Sequence, residues 1–147
     1  MEHENKPQTF FRFEDLRVYH KALDYAAWVL RTTAALPDTA GRSSALFQQA
    51  ALSIPVQIAE GSARNKSQFA YYLKMAKTSV RECLVYTTTL SQLGLLDETH
   101  EADSRNELME LTKMIGALIG SLVRAGSGND EEDEDDFGSN ADDRFNR

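Results

Sequence analysis

Ser53-Ile54-Pro55-Val56-Gln57-Ile58-Ala59-Glu60-Gly61 sets a proline in the middle of an alanine-rich, apolar stretch that otherwise reads as a helix. Inside a helix proline removes one backbone hydrogen bond and clashes with the preceding turn, at a cost of about 3 kcal/mol. A segment that carries it as a helix must be held by its neighbours, so the sequence predicts a packed helix, bent near Ile54–Pro55. The constraint is architectural and marks no catalytic group.

Four helical segments follow from periodicity. The first is expected from Asp15, a good N-cap, to Leu36, just before Pro37. Leu16, Tyr19, Leu23, Ala26, Leu30 and Ala34 would form its core face, beside a second stripe of Val18, Tyr25, Trp28 and Val29. The second runs from about Ser44 to Glu60, with Gly61 as its stop. Asn65 followed by Gln68 resembles a capping box and opens the third. Its core face reads Phe69, Leu73, Ala76, Val80, Cys83, Thr87 and Leu90, and Gly94 closes it. The fourth starts near Asp97 or Thr99 and shows Leu108, Leu111, Ile115, Leu118 and Leu122. Strand signals are absent. The fold class predicted is all-α, an antiparallel up-and-down four-helix bundle over residues 13–126, between a flexible arm, 1–12, and a disordered acidic tail, 127–147.

The first two helices carry more apolar surface than one core uses, and a helix apolar all round is buried all round. Self-association is the simplest cover, with Trp28, Phe47, Ile54, Pro55 and Ile58 as oligomer-interface candidates. Gly116 and Gly120, four apart on the fourth helix, read as a close approach of two helices.

The net charge of −7 is a property of the tail: residues 127–147 hold nine carboxylates against Arg144 and Arg147, and the remainder is neutral. Within that neutral part, residues 42–81 hold six bases and one acid, whereas residues 82–126 hold seven acids and three bases. Lys74, Lys77 and Arg81 share one stripe of the third helix, with Arg64 and Lys66 just before it. Two readings stay open for these five: a solvated face paired with the acids of the fourth helix, or a nucleic-acid-binding surface.

Chemistry has little to work with. His3, His20 and His100 lack a partner at metal-ligand spacing, and no glutamate-x-x-histidine pair, phosphate loop or nucleophile elbow occurs. Cys83 lies on an apolar face, and Glu60 reads as an ion-pair partner of Arg64. The expectation is a protein that is not an enzyme, with no metal and no cofactor. A single cysteine, a polar Met1–Gln8 and no apolar run near the ~20 residues of a membrane span point to the cytoplasm, with no membrane partner.

Phe13-Glu14-Asp15-Leu16-Arg17-Val18-Tyr19-His20-Lys21-Ala22, Gln49-Ala50-Ala51-Leu52 running into Ser53–Gly61, Ser62-Ala63-Arg64, and Ala76-Lys77-Thr78-Ser79-Val80-Arg81-Glu82 carry a resemblance over residues 13–122. In their order and spacing they resemble the bacterial four-helix-bundle family encoded within intervening sequences of large-subunit ribosomal RNA genes. The resemblance implies a closed homopentamer. It also implies kinship with the accessory variability protein of diversity-generating retroelements, a basic pentameric barrel that binds nucleic acid and a reverse transcriptase. Gln57 stands where the family has asparagine, Thr78 lies near a family glycine, and the domain here is neutral where that relative is strongly basic. The function expected is an accessory protein that associates with RNA or a ribonucleoprotein; the alternative is an oligomeric protein scaffold that binds no nucleic acid.

Overall fold

The computed structural model describes residues 11–126. A 3-10 turn, Arg12–Asp15, leads into α1 (Arg17–Ala34), and a second, Asp38–Ala40, into α2 (Gly41–Ser62); α3 (Lys66–Gln92) and α4 (Glu98–Gly126) follow. There is no strand among the described residues. α2 packs against α1 and α3, α3 against α4, and α4 returns to α1, which is the expected up-and-down four-helix bundle. The tail and the first ten residues of the arm lie outside the described residues.

Local chemistry sets the helix ends. The Asn65 side chain accepts the Gln68 N–H at 2.8 Å and starts α3. Gly94 ends it with φ +73°, the left-handed conformation that favours glycine. Around it the Leu95 N–H reaches the Leu90 carbonyl and the Gly94 N–H that of Ser91, a Schellman closure. Asp97 caps α4 by accepting the His100 N–H at 2.8 Å, and that bond first, then one to the imidazole, holds its carboxyl below its ordinary range. Asp15 does not cap α1: it closes the 3-10 turn, and Leu16 takes the N-cap position without a side-chain bond.

Three further expectations change. The core face of α1 is the stripe read as secondary, for Val18, Ala22, Tyr25, Ala26 and Val29 are buried, whereas Leu23 and Leu30 remain 38% and 37% exposed. Gly61 does not stop α2. It sits inside the helix where α3 comes closest, and a Cβ there would lie 2.6 Å from Tyr72 Cβ and 2.9 Å from a Phe69 ring carbon. The close helix approach read at Gly116 and Gly120 is therefore at Gly61. A Cβ on Gly116 meets nothing, and one on Gly120 meets only the Arg124 guanidinium.

α2 is helical through Pro55, which is buried. Two residues before it the Ser53 hydroxyl donates to Ser79 of α3, so a polar bond between helices lies near the Ala51 carbonyl that Pro55 leaves without its helical donor. Phe47, Ile54 and Ile58 are also enclosed within the protomer. Phe47 stacks on Tyr86 at 5.9 Å. These side chains are not surfaces on which a second copy could seat. The exposed apolar side chains of α2 are Leu46, Leu52 and Val56, of which Leu52 and Val56, four apart, share a face.

At mid-bundle a chain of hydroxyls crosses the core. Tyr25 Oη (α1) lies 2.8 Å from Ser104 Oγ (α4), which lies 2.7 Å from Thr87 Oγ1 (α3), and Thr87 also donates to the Cys83 carbonyl at 2.8 Å. All four residues are buried, and burial pushes the Tyr25 phenol up and the Cys83 thiol up to about 12. Lys21–Glu107 at 3.0 Å and Ser91–Glu101 at 3.0 Å lie on the same seams of α4 nearer the surface.

Two predictions follow from packing and burial. Gly61→Ala should destabilise the fold by about 1–3 kcal/mol through overpacking, whereas Gly116→Ala, in open space, should stabilise it by up to about 1 kcal/mol; urea midpoints compare the two. The unfolded chain releases the Cys83 proton near its ordinary value of 9.0 while the folded chain keeps it to about 12. The unfolded state then binds fewer protons, so stability is whole below that window and falls as pH rises through it. Urea titrations between about pH 8 and 10 should show that decline, and Cys83→Ala should flatten it.

Candidate nucleic-acid interface

Four of the five candidate bases stand on α3 (Lys66, Lys74, Lys77, Arg81), and Arg64 stands in the turn before it. Lys74, Lys77 and Arg81 continue at helical spacing to Thr88, whose hydroxyl accepts from Arg105 of α4 at 2.9 Å. That bond places the stripe over the α3–α4 seam, on the opposite flank of α3 from the Ser79 and Tyr72 contacts with α2. Arg64 is differently engaged. It bonds Glu60 at 2.7 Å and lies over the Tyr72 ring at 5.3 Å, and the Glu60 bond holds its proton more firmly. The structure thus gives Glu60 the partner the sequence suggested. Arg64 reaches the stripe as half of an ion pair, beside its end.

Two acids of α4 have named partners. Glu107 reaches Lys21 of α1, and Glu101 bonds Arg105 and Ser91. Every carboxylate of α4 lies at or before Glu110; from Leu111 to Gly126 the only charges are Lys113 and Arg124. α3 and α4 are antiparallel with Thr87 beside Ser104 and Ser91 beside Glu101. Carried along the seam, that register sets the second half of α4 level with the first half of α3. Lys113 and Arg124 therefore join Lys66, Lys74, Lys77 and Arg81 at one end of the bundle, a pairing that only three-dimensional register reveals. Arg124 lies back against its own helix over Gly120, where there is no side chain in its way. Because Thr112, Gly116 and Gly120 are small, the seam between the two basic rows is shallow.

A second concavity, an open groove of about 420 Å³, runs between α2 and α3 on the other flank. Leu46, Gln49, Gln57, Met75, Glu82 and Tyr86 are among the residues that line it, so apolar side chains of both helices meet one carboxylate there. Trp28 stands apart from both surfaces. It is half-buried at the opposite end, stacked on Tyr25 at 5.9 Å and near His100 at 6.1 Å.

Among the described residues no group of three or more His, Cys, Asp or Glu is placed to hold a metal ion. The buried Cys83 thiol, protonated at neutral pH, is no nucleophile there. No helix among the described residues is long and apolar enough to cross a membrane.

The model of one protein family, the 23S rRNA-intervening sequence protein, matches residues 14–117, from the 3-10 turn through two thirds of α4. No curated protein matches the chain. With most of its bundle inside that match, the chain belongs to the 23S rRNA-intervening sequence protein family.

Proposed function

We propose that this chain is a non-catalytic, self-associating helical accessory protein that holds RNA, or the RNA of a ribonucleoprotein, on the basic end of its α3–α4 face. The observation that carries the reading is the gathering of Lys66, Lys74, Lys77 and Arg81 with Lys113 and Arg124 at one end of the bundle, with no carboxylate in either contributing segment. Cations along a ridge meet phosphates without reading base edges, so the contact is with backbone and its affinity is set by salt. The family's name, which ties its members to ribosomal RNA genes, supports an RNA partner. A retroelement reverse-transcriptase complex is one ribonucleoprotein of this kind. Self-association falls to the exposed face of α2 that carries Leu52 and Val56, since the buried Phe47, Ile54, Pro55 and Ile58 are used within the protomer. A closed ring of five would repeat the basic ends around one axis and multiply weak phosphate contacts.

The groove between α2 and α3, lined in part by the apolar Leu46, Met75 and Tyr86, favours a second reading, a scaffold that binds only protein. The two readings differ in one titration. A fluorescent single-stranded RNA should bind the full chain at low salt, and log affinity should fall linearly with log salt. Lys74→Glu with Lys77→Glu should weaken binding at least about tenfold and lower the slope by about 0.7 for each lost contact. Equal affinity of the double variant and the wild type would remove this surface from the mechanism.

Assembly is tested separately. Leu52→Asp with Val56→Asp should lower the mass seen by light scattering to that of a protomer with helical content unchanged, because both side chains are exposed in the protomer. An unchanged oligomer would move the interface to another face.

A further inference from the structure

We propose that the acidic segment Asp130–Asp136 of this same chain docks on the basic end of the α3–α4 face and competes there with polyanions. The contact itself follows from charge and geometry. Only its consequence, regulation of RNA binding, rests on the function proposed above.

Three observations bear on it. α4 ends at Gly126, and the register set by Thr87–Ser104 and Ser91–Glu101 brings that end level with Lys66, the first residue of α3. Packed helices lie about 8–10 Å apart, so the chain leaves α4 one helix spacing from the basic row. From Gly126 to Asp130 an extended chain reaches at most about 14 Å, and to Asp136 about 36 Å. Lys66 to Arg81 covers only about 22 Å of helix. The acidic block is therefore placed to lie along the whole row, neither too near its anchor nor too far.

Charge selects the same surface. Seven consecutive carboxylates, Asp130 to Asp136, follow the Gly126-Ser127-Gly128-Asn129 link, and the tail as a whole carries −7. Elsewhere on α4 the same segment would meet the carboxylates of Asp97–Glu110, which repel it. Within reach of its anchor, segments 66–81 and 111–126 contribute no carboxylate and hold Lys66, Lys74, Lys77, Arg81, Lys113 and Arg124. A link of only three residues, Ser127–Asn129, gives the segment a local concentration on the order of millimolar at that surface. Such an arrangement sets a threshold: an RNA must offer more phosphates than the tail offers carboxylates.

Carbodiimide cross-linking of the full wild-type chain, followed by peptide mass spectrometry, tests the contact. At low salt, cross-links from residues 130–136 should go mainly to Lys66, Lys74, Lys77 and Lys113, in preference to Lys6 and Lys21. They should disappear near 1 M salt, where the screening length is about 3 Å. Equal capture by Lys6 and Lys21, or a pattern indifferent to salt, overturns the proposal. For the consequence, a full-length variant with the seven acids changed to their amides (D130N, E131Q, E132Q, D133N, E134Q, D135N, D136N) should bind the fluorescent RNA about tenfold more tightly than wild type. An unchanged affinity overturns competition. Preferred cross-links with no RNA binding by either chain would keep the docking and reject the RNA reading. RNA binding by both chains without preferred cross-links would do the reverse.

Discussion

The register of α4 against α3 is the constraint on which the rest of this structure depends, and buried hydroxyls fix it. Ser104 lies between Tyr25 and Thr87, within hydrogen-bond distance of both, where water is excluded. Sliding α4 by one turn to bring Leu108 into this place would take the Ser104 hydroxyl from both Tyr25 and Thr87, and a buried polar group left unmet costs about 1–3 kcal/mol. Apolar packing alone distinguishes such slips poorly, since Leu108, Leu111 and Ile115 are close in size. The polar chain makes the choice discrete, as satisfied networks in cores do. Everything at the basic end depends on it: which α3 lysines face Lys113, where Arg124 lies, and where α4 stops.

The parts of the fold that were legible in the sequence are those where one local rule acted alone. Asn65 and Gly94 bound α3 because a cap and a left-handed residue need no tertiary partner, and the α3 face from Leu73 to Leu90 stands out because apolar and small residues recur along it at unbroken three- and four-residue spacing. α1 was misread because it has two apolar stripes side by side, and spacing does not rank them. The partner does: Tyr25 finds Ser104, whereas Leu23 and Leu30 face outward. Gly61 looked like a terminator because glycine so often is one; its cause lies in Tyr72, a residue of the next helix. The interface candidates Phe47, Ile54, Pro55 and Ile58 were drawn from the apolar helix as a whole, and the structure divides that helix into an enclosed face and the exposed side chains Leu46, Leu52 and Val56.

The candidate site divides in the same way. Lys74, Lys77 and Arg81 were visible as a stripe because they share a helix, and Arg64 and Lys66 because they adjoin it. Lys113 and Arg124 were counted with the acidic stretch of the chain, since a sum over residues 82–126 hides the change of sign after Glu110. Charge here is separated along the bundle axis and not helix by helix. The result is a domain of near-zero net charge with a strong dipole, so it presents different electrostatic faces to partners that approach from its two ends.

Pro55 has a consequence for how this molecule comes into being. A helix that forfeits a hydrogen bond and about 3 kcal/mol at its centre has little independent existence. α2 therefore forms as it packs, on α1 and on α3, whose Ser79 and Tyr72 it meets. The Tyr25–Ser104 contact joins the first helix to the last, a contact of long sequence separation of the kind that slows folding.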